Sequence, residues 1–360
     1  MTLDIKCTRI PDPDGHDTVL LLKGDWLIVE ITDGHYIGYG ESTHSRDDDA
    51  CEKTILQLFN IYVKDIDLSI QAIERLSKEP FSKADTFVVA TAISGINQAL
   101  YDLVAKHESK SVWRLFTNKE CQLKIPVYAT INRALTNRTL DNYGETVAHA
   151  VKQGFSAIKC APFEMVNNDG DQVYQSEYGL SVLEFLRNNF PDLSIRIDFH
   201  ERFHLQAFKQ ILPALDAMSP FWLEAPLPIG PDYSELKSLC QTTIALGELY
   251  FGRTGFSKIV ENHWADVIMP DIKHVGGFSA LADVTKYFEG KVEISPHNPS
   301  GPVSTVASMH IAAISPDVTS LEVPLIVDDK RAYYLEWMDS GYFHIPRNIG
   351  WGVQFEFEAR

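Results

Sequence analysis

The sequence is poor in cysteine, in basic charge and in long apolar runs, and each shortage closes off a class of protein. Its five cysteines, Cys7, Cys51, Cys121, Cys160 and Cys240, are odd in number, widely spaced and free of any C-x-x-C pair. That pattern excludes a disulfide framework or a zinc knuckle and reads as reduced thiols of a cytoplasmic protein. Lysine and arginine number 32 against 49 acidic residues, a net charge of −17. A surface of that sign repels phosphate backbones, so no nucleic-acid partner is expected. A small anionic substrate remains possible wherever a cation reverses the local field. No uninterrupted run of 18 apolar residues occurs, so no membrane span is expected. The opening MTLDIKCTRIPDPDG lacks the apolar region and cleavage site of a secretory leader. What is present is ordinary for a globular chain: 360 residues, 45% hydrophobic and 22% charged, enough for two domains or one large one.

Two textures divide the chain. Residues 18–31, TVLLLKGDWLIVEI, read as strands with a turn at Lys23-Gly24-Asp25, and 35–40 as a further strand. From residue 51 the pattern turns helical, through CEKTILQLFNIYV and LSIQAIERLSK to 86–106, where Ala90, Ile93, Ile96, Leu100 and Leu103 fall at helical spacing. Strands followed by helices suggest an α+β domain over residues 1–123. From 124 to 324, short β-branched runs alternate with amphipathic stretches. The strand candidates are 125–131, 156–162, 194–200, 221–226, 243–248, 266–272, 292–297 and 320–324. Units of roughly 25 residues in that order predict a parallel α/β barrel of the TIM type, with a doubly wound open sheet as the competing fold. Residues 325–360 read as irregular and as returning to the first domain.

From the third strand onward, each candidate ends at or near a titratable residue: Asp198, Glu224, Glu248, Asp271, His297 and Glu322, at intervals of 26, 24, 23, 26 and 25 residues. In a barrel, the carboxyl ends of the strands ring one mouth, so regular spacing in sequence becomes convergence in space. Asp198, Glu224 and Glu248 come from adjacent strands. Three crowded carboxylates repel unless a cation lies between them, and an all-oxygen donor set suits a hard ion such as Mg²⁺. An anionic substrate there needs further positive charge, which Lys159 at the end of strand two can supply. Asp271 and His297 end neighbouring strands. A carboxylate on one ring nitrogen fixes the tautomer and raises the basicity of the other, making His297 a candidate general base. His200 lies two residues after Asp198, and i, i+2 side chains of a strand share a face, so it should face the same mouth. His204, at the start of the next helical stretch, receives no role. Arg133, at the first strand end, and Asn298 are candidates for contact with substrate hydroxyls.

With these residues in place, the chain resembles the enolase superfamily in its mandelate racemase-like branch. The motifs are IKCAPF, IDFHERF, WLEAPLP, LGELYFG, MPDIKHVGG, SPHNPSGPV and SLEVP, together with GYGES at 38–42. The resemblance implies a modified (β/α)7β barrel with an N-terminal α+β capping domain, whose loops near 11–18 and 43–50 close over substrate. It implies Asp198, Glu224 and Glu248 as Mg²⁺ ligands, a His297–Asp271 dyad, Glu322 as an acid hydrogen-bonding substrate beside the metal, and assembly into a homo-oligomer.

One departure narrows the chemistry. Racemases and cycloisomerases of this branch carry K-x-K on strand two, whereas this chain reads Lys159-Cys160-Ala161, and Ala161 cannot move a proton. Asp198-Phe199-His200 resembles instead the D-x-H of galactonate dehydratase-like members, in which that histidine is the acid that releases the β-hydroxyl. The resemblance therefore implies an acid-sugar dehydratase acting on an aldonate or aldarate through an enediolate stabilised by the metal. A racemase, epimerase or cycloisomerase on the same scaffold, and a non-catalytic binding relative, stay open as alternatives.

Overall fold

A computed structural model describes residues 2–11, 25–119 and 122–355. The expected turn at 23–25 and strand residues 18–24, most of the expected loop at 11–18, and Cys121 lie outside the described residues. Strands β1 (Asp4–Pro11), β2 (Asp25–Thr32) and β3 (Ile37–Glu41) form an antiparallel sheet in that order. Helices α1 (Asp48–Leu58), α2 (Ile70–Lys78) and α3 (Phe87–His107) follow. Each begins where an oxygen-bearing side chain accepts a backbone N–H of the first turn: Asp47, Ser69 and Thr86. By length and composition α3 would suffice to cross a membrane, but 83% of its apolar window is buried inside the protein, so it is a core helix.

The rest of the chain is a parallel barrel. Its strands are β4 (Lys124–Thr130), β5 (Ala157–Cys160), β6 (Ser194–Asp198), β7 (Trp222–Glu224), β8 (Thr243–Leu246), β9 (Val267–Ile268), β10 (Glu293–Ile294) and β11 (Leu321–Pro324). Between them run α4 (Leu140–Lys152), α5 (Gln172–Asn189), α6 (Leu205–Ala217), α7 (Asp232–Leu239), α8 (Gly252–Glu261), α9 (Phe278–Tyr287) and α10 (Pro302–Ala312). Neighbours pair in sequence order from β4 to β10, and β11 pairs in parallel with Val127–Thr130 of β4. Ile294 bridges to Val318, which brings β10 to the last strand and completes the ring. The open-sheet alternative is thereby excluded.

Strand alternation sorts the side chains. Ile158, Ile195, Leu223 and Ile244 face the helices and join the main core. Ala157, Tyr128, Trp222, Ala245, Val267 and Met269 fill the barrel interior, with the Arg196 guanidinium 4.4 Å from the Tyr128 ring and 4.6 Å from that of Trp222. Two residues on, the same inward alternation carries Lys159, Asp198 and Glu224 to the mouth.

The N-terminal unit meets the barrel along α3 and β3. A Cβ on Gly40 would lie 2.0 Å from the Gly95 carbonyl oxygen, and one on Gly38 2.1 Å from that of Ala99, so only glycine permits this crossing. Across the seam, Ser94 accepts from Gly276 N–H, Asn97 from Ser279 N–H, and Gln98 donates to the Ile272 carbonyl. The buried Glu41 carboxylate accepts the N–H groups of Gly301 and Ser304 at 2.8 and 2.9 Å, capping α10 from the other unit.

Residues beyond 330 are more ordered than expected. β12 (Met338–Asp339) and β13 (Tyr342–His344) form a hairpin, and β13 pairs antiparallel with Lys124–Pro126 of β4. The chain then reaches the N-terminal unit. Asp102, fully buried on α3, accepts Trp351 N–H on one oxygen and Tyr39 N–H with Lys106 Nζ on the other. The tail thus extends the barrel sheet before it joins α3.

Candidate active site

The barrel mouth and the Thr43–Arg46 loop enclose a cavity of about 980 Å³. Asp198 and Glu248 line it, and with the buried Glu224 they converge, each of the three offering an oxygen within 4.8 Å of the others. Lys159 Nζ, buried, donates to Glu224 Oε1 at 2.9 Å and Glu322 Oε2 at 3.0 Å and lies 3.8 Å from Asp198 Oδ2. Burial opposes its charge, but Glu224, Glu322 and Asp198 hold the ammonium well above the usual lysine range. Burial also pushes the Glu224 carboxyl up to about 8; Lys159 opposes this, and Asp198, Glu322 and Glu248 reinforce it.

This donor set fits a hard divalent cation. All three groups offer oxygen, their mutual repulsion is the strain that such an ion relieves, and Glu322 Oε1 is buried beside them with no partner among the described residues. Trp222 Nε1 donates to Glu224 Oε2 at 3.3 Å and helps to fix that side chain.

A histidine flanks each side of the triad. His297 Nδ1 is 2.8 Å from Asp271 Oδ2, and its Nε2 is 3.1 Å from Glu248 Oε2. Burial pulls the ring down, but Glu248, Glu322 and the Asp271 hydrogen bond leave it raised. On the other side, His200 Nε2 lies 3.0 Å from Asp198 Oδ2, while its Nδ1 pairs with Glu164 Oε1. Against the effect of burial, these two carboxylates hold the imidazolium well above the ordinary histidine range.

The route by which His200 reaches the mouth differs from the expected strand alternation. β6 ends at Asp198, and His200 and Glu201 turn through left-handed backbone, φ 49° and 58°. That conformation costs non-glycine residues roughly 1–2 kcal/mol. Asp198 Oδ1 accepts His200 N–H at 2.9 Å, and Glu201 N–H donates to the Ala225 carbonyl, which hold the turn.

Arg133 lies on the short turn after β4, lines the cavity and donates to Ser45 Oγ at 3.2 Å. Asn298 is a correction. Its side chain is buried and committed to the protein: the amide nitrogen donates to Thr305 Oγ1 and the Glu322 carbonyl, and the oxygen accepts from Ser304 Oγ. It braces the loop before α10 and offers nothing to a substrate. His204 caps α6, accepting Ala207 N–H.

Three contributors were missed in the sequence. Glu164 joins His200 and also pairs with Arg202. Lys273, fully buried, chelates both Asp271 oxygens at 2.8 and 2.6 Å. Burial favours the neutral acid at Asp271, but Lys273, His274 and His297 outweigh it and hold the carboxylate ionised. His274 is pushed down to about 3 by burial, against the pull of Asp271. Its Nδ1 is 2.9 Å from Thr91 Oγ1 of α3.

Residues 142–359 match the enolase C-terminal domain-like family. The D-galactonate dehydratase of Cronobacter sakazakii is 23% identical over 362 residues, spanning 95% of this chain and 91% of that protein. The D-gluconate dehydratase of Thermoproteus tenax is 28% identical over 292 residues, 77% of this chain and 56% of that protein. Among solved structures, a mandelate racemase/muconate lactonizing enzyme-like protein from Rubrobacter xylanophilus superposes with a TM-score of 0.82 at 22% identity, covering 97% of this chain and 93% of that one. The mandelate racemase/muconate lactonizing enzyme from a Sulfitobacter species gives 0.82 at 20% identity, covering 99% and 93%. At these identities the structural likeness is one of fold. The family match over more than half of the chain carries the assignment: this chain belongs to the enolase C-terminal domain-like family, in the mandelate racemase-like branch of the enolase superfamily.

Proposed function

We propose that this chain is a Mg²⁺-dependent acid-sugar dehydratase, converting an aldonate or aldarate into a 2-keto-3-deoxy acid. The observation that carries the reading is the pair of carboxylate-held histidines flanking three convergent carboxylates. His297 sits at Glu248, and His200 at Asp198. Relatives named D-galactonate and D-gluconate dehydratase support the same class of reaction.

Asp198, Glu224 and Glu248 would hold Mg²⁺, which supplies Lewis-acid charge beside the substrate carboxylate. Lys159 adds a buried positive charge at the same place. His297, kept in one tautomer by Asp271, takes the proton α to the carboxylate on Nε2. His200, held as imidazolium by Asp198 and Glu164, gives its proton to the 3-hydroxyl as the C3–O bond breaks, so one water leaves. The enol that remains tautomerises to the keto acid. Ala161 stands where racemases of this branch carry the second lysine of strand two, and its loss argues against racemisation.

The test is a panel of C4–C6 mono- and diacid sugars with Mg²⁺, with semicarbazide reporting the keto acid. We expect turnover of at least one and its loss on chelation with EDTA. Full activity in the chelated protein, or epimerised product without keto acid, would sink the proposal.

A further inference from the structure

His44 lines the cavity, and its Nε2 is a buried polar atom that neither the fold nor the chemistry above employs. His44 is 8% exposed and lines the cavity, and its Nε2 has no hydrogen-bond partner among the described residues. The ring is fixed on its other sides. Nδ1 accepts Asp47 N–H at 3.1 Å, so in the neutral ring the proton sits on Nε2. The edge of Phe87 packs against it with centroids 4.9 Å apart. Asp48 Oδ1 accepts His44 N–H at 2.8 Å and Ser45 N–H at 3.4 Å, which locks the loop. Burial, with Arg46, pulls the ring down more than Asp48 and Asp47 raise it, which favours the neutral form. Phe87 stands between His44 and His274, which itself lies 3.8 Å from Asp271, so His44 is two rings away from the dyad.

A rigid, neutral, single N–H donor with no acceptor left is suited to an uncharged oxygen; a second carboxylate would call for a cation. An unmade hydrogen bond at such a buried donor is costly, which turns a donor into a selector. We propose that His44 is a specificity-determining residue whose Nε2–H donates to a hydroxyl on the part of the sugar acid remote from Asp198, Glu224 and Glu248. The inference rests on the dehydratase reading and names the group that the distal pocket selects.

The experiment measures binding to the Mg²⁺-loaded protein by calorimetry. The probes are the sugar acid that the wild type binds best from the panel and glycolate, which is too short to reach His44. In His44→Phe, affinity for the sugar acid should fall about 10- to 100-fold while glycolate binding stays within about twofold. His44→Gln places an N–H near the position of Nε2 and should recover most of the loss. In ¹⁵N-histidine-labelled wild type, the His44 Nε2–H resonance should move with the sugar acid and not with glycolate. Unchanged sugar-acid affinity in His44→Phe, equal loss of both probes, or a resonance indifferent to the sugar acid overturns the inference. A wild type that binds glycolate but no sugar acid overturns the dehydratase reading first, and this inference with it.

Discussion

Each histidine to which the proposal gives a proton transfer is held by a carboxylate with a second cation behind it. Asp271 is shared by His297 and Lys273, and Glu164 by His200 and Arg202. The second cation keeps each carboxylate ionised, so the histidine is oriented without handing its own proton back. The proposed mechanism gives the two histidines separable duties. In deuterated water, His297→Asn should abolish exchange of the substrate α-proton; His200→Asn should retain exchange and stop formation of keto acid. Turnover in His297→Asn at the wild-type rate would remove it as the base. Glu164→Gln, which keeps an acceptor but removes the charge, should slow keto-acid release about 10- to 100-fold while exchange persists; equal loss of both signals would make Glu164 merely structural. The sequence displays Asp198, Glu224, Glu248, Asp271, His297 and Glu322 because a repeating unit spaces them. It hides Glu164, Lys273 and His44, whose partners stand outside that rhythm. Asn298 looked available because its neighbour is His297, and only packing reveals that its amide is spent on Thr305, Ser304 and the Glu322 carbonyl.

Among the elements, the barrel strands are short, two to seven residues, yet all eight were legible as apolar runs at regular intervals, those from the third onward ending at or near a titratable residue. β1 was not, because DIKCTRIP interleaves charge with weakly apolar residues, and its pairing with β2 is what makes it a strand. His200 shows the opposite failure: the location was right, but the strand stops at Asp198 and a left-handed turn does the work. The crossing of β3 over α3 rests on missing side chains and is correspondingly brittle. Gly40→Ala would force a methyl group against the Gly95 carbonyl. We expect a loss of roughly 1–3 kcal/mol, read by urea unfolding. Wild-type stability in Gly40→Ala would show that the seam can give.

For the molecule as a whole, the crowded mouth ties stability to pH and to metal. Without a cation the folded chain keeps a proton on Glu224, whose pKa is about 8 against an ordinary 4.5, and His200 and His297 are likewise raised. Above about pH 6.5 the unfolded chain binds fewer protons at these three groups, and the buried, downshifted His274 and His310 act oppositely only below it, so folding stability falls as pH rises from about 6.5 to about 8. Mg²⁺ favours the ionised carboxylates, so its stabilising effect grows over the same range. Thermal unfolding in EDTA should give a lower Tm at about pH 8 than at about pH 6.5, with the larger gain on adding Mg²⁺ at the higher pH. A metal-free Tm that rises across that interval would contradict the arrangement.

Asp102 has a bearing on how the chain is made. One of its oxygens is reserved for Trp351, nearly 250 residues downstream. During synthesis α3 therefore leaves the ribosome with a carboxylate whose backbone partner does not yet exist. The N-terminal unit can gather early, but this bond closes only once residue 351 has been made.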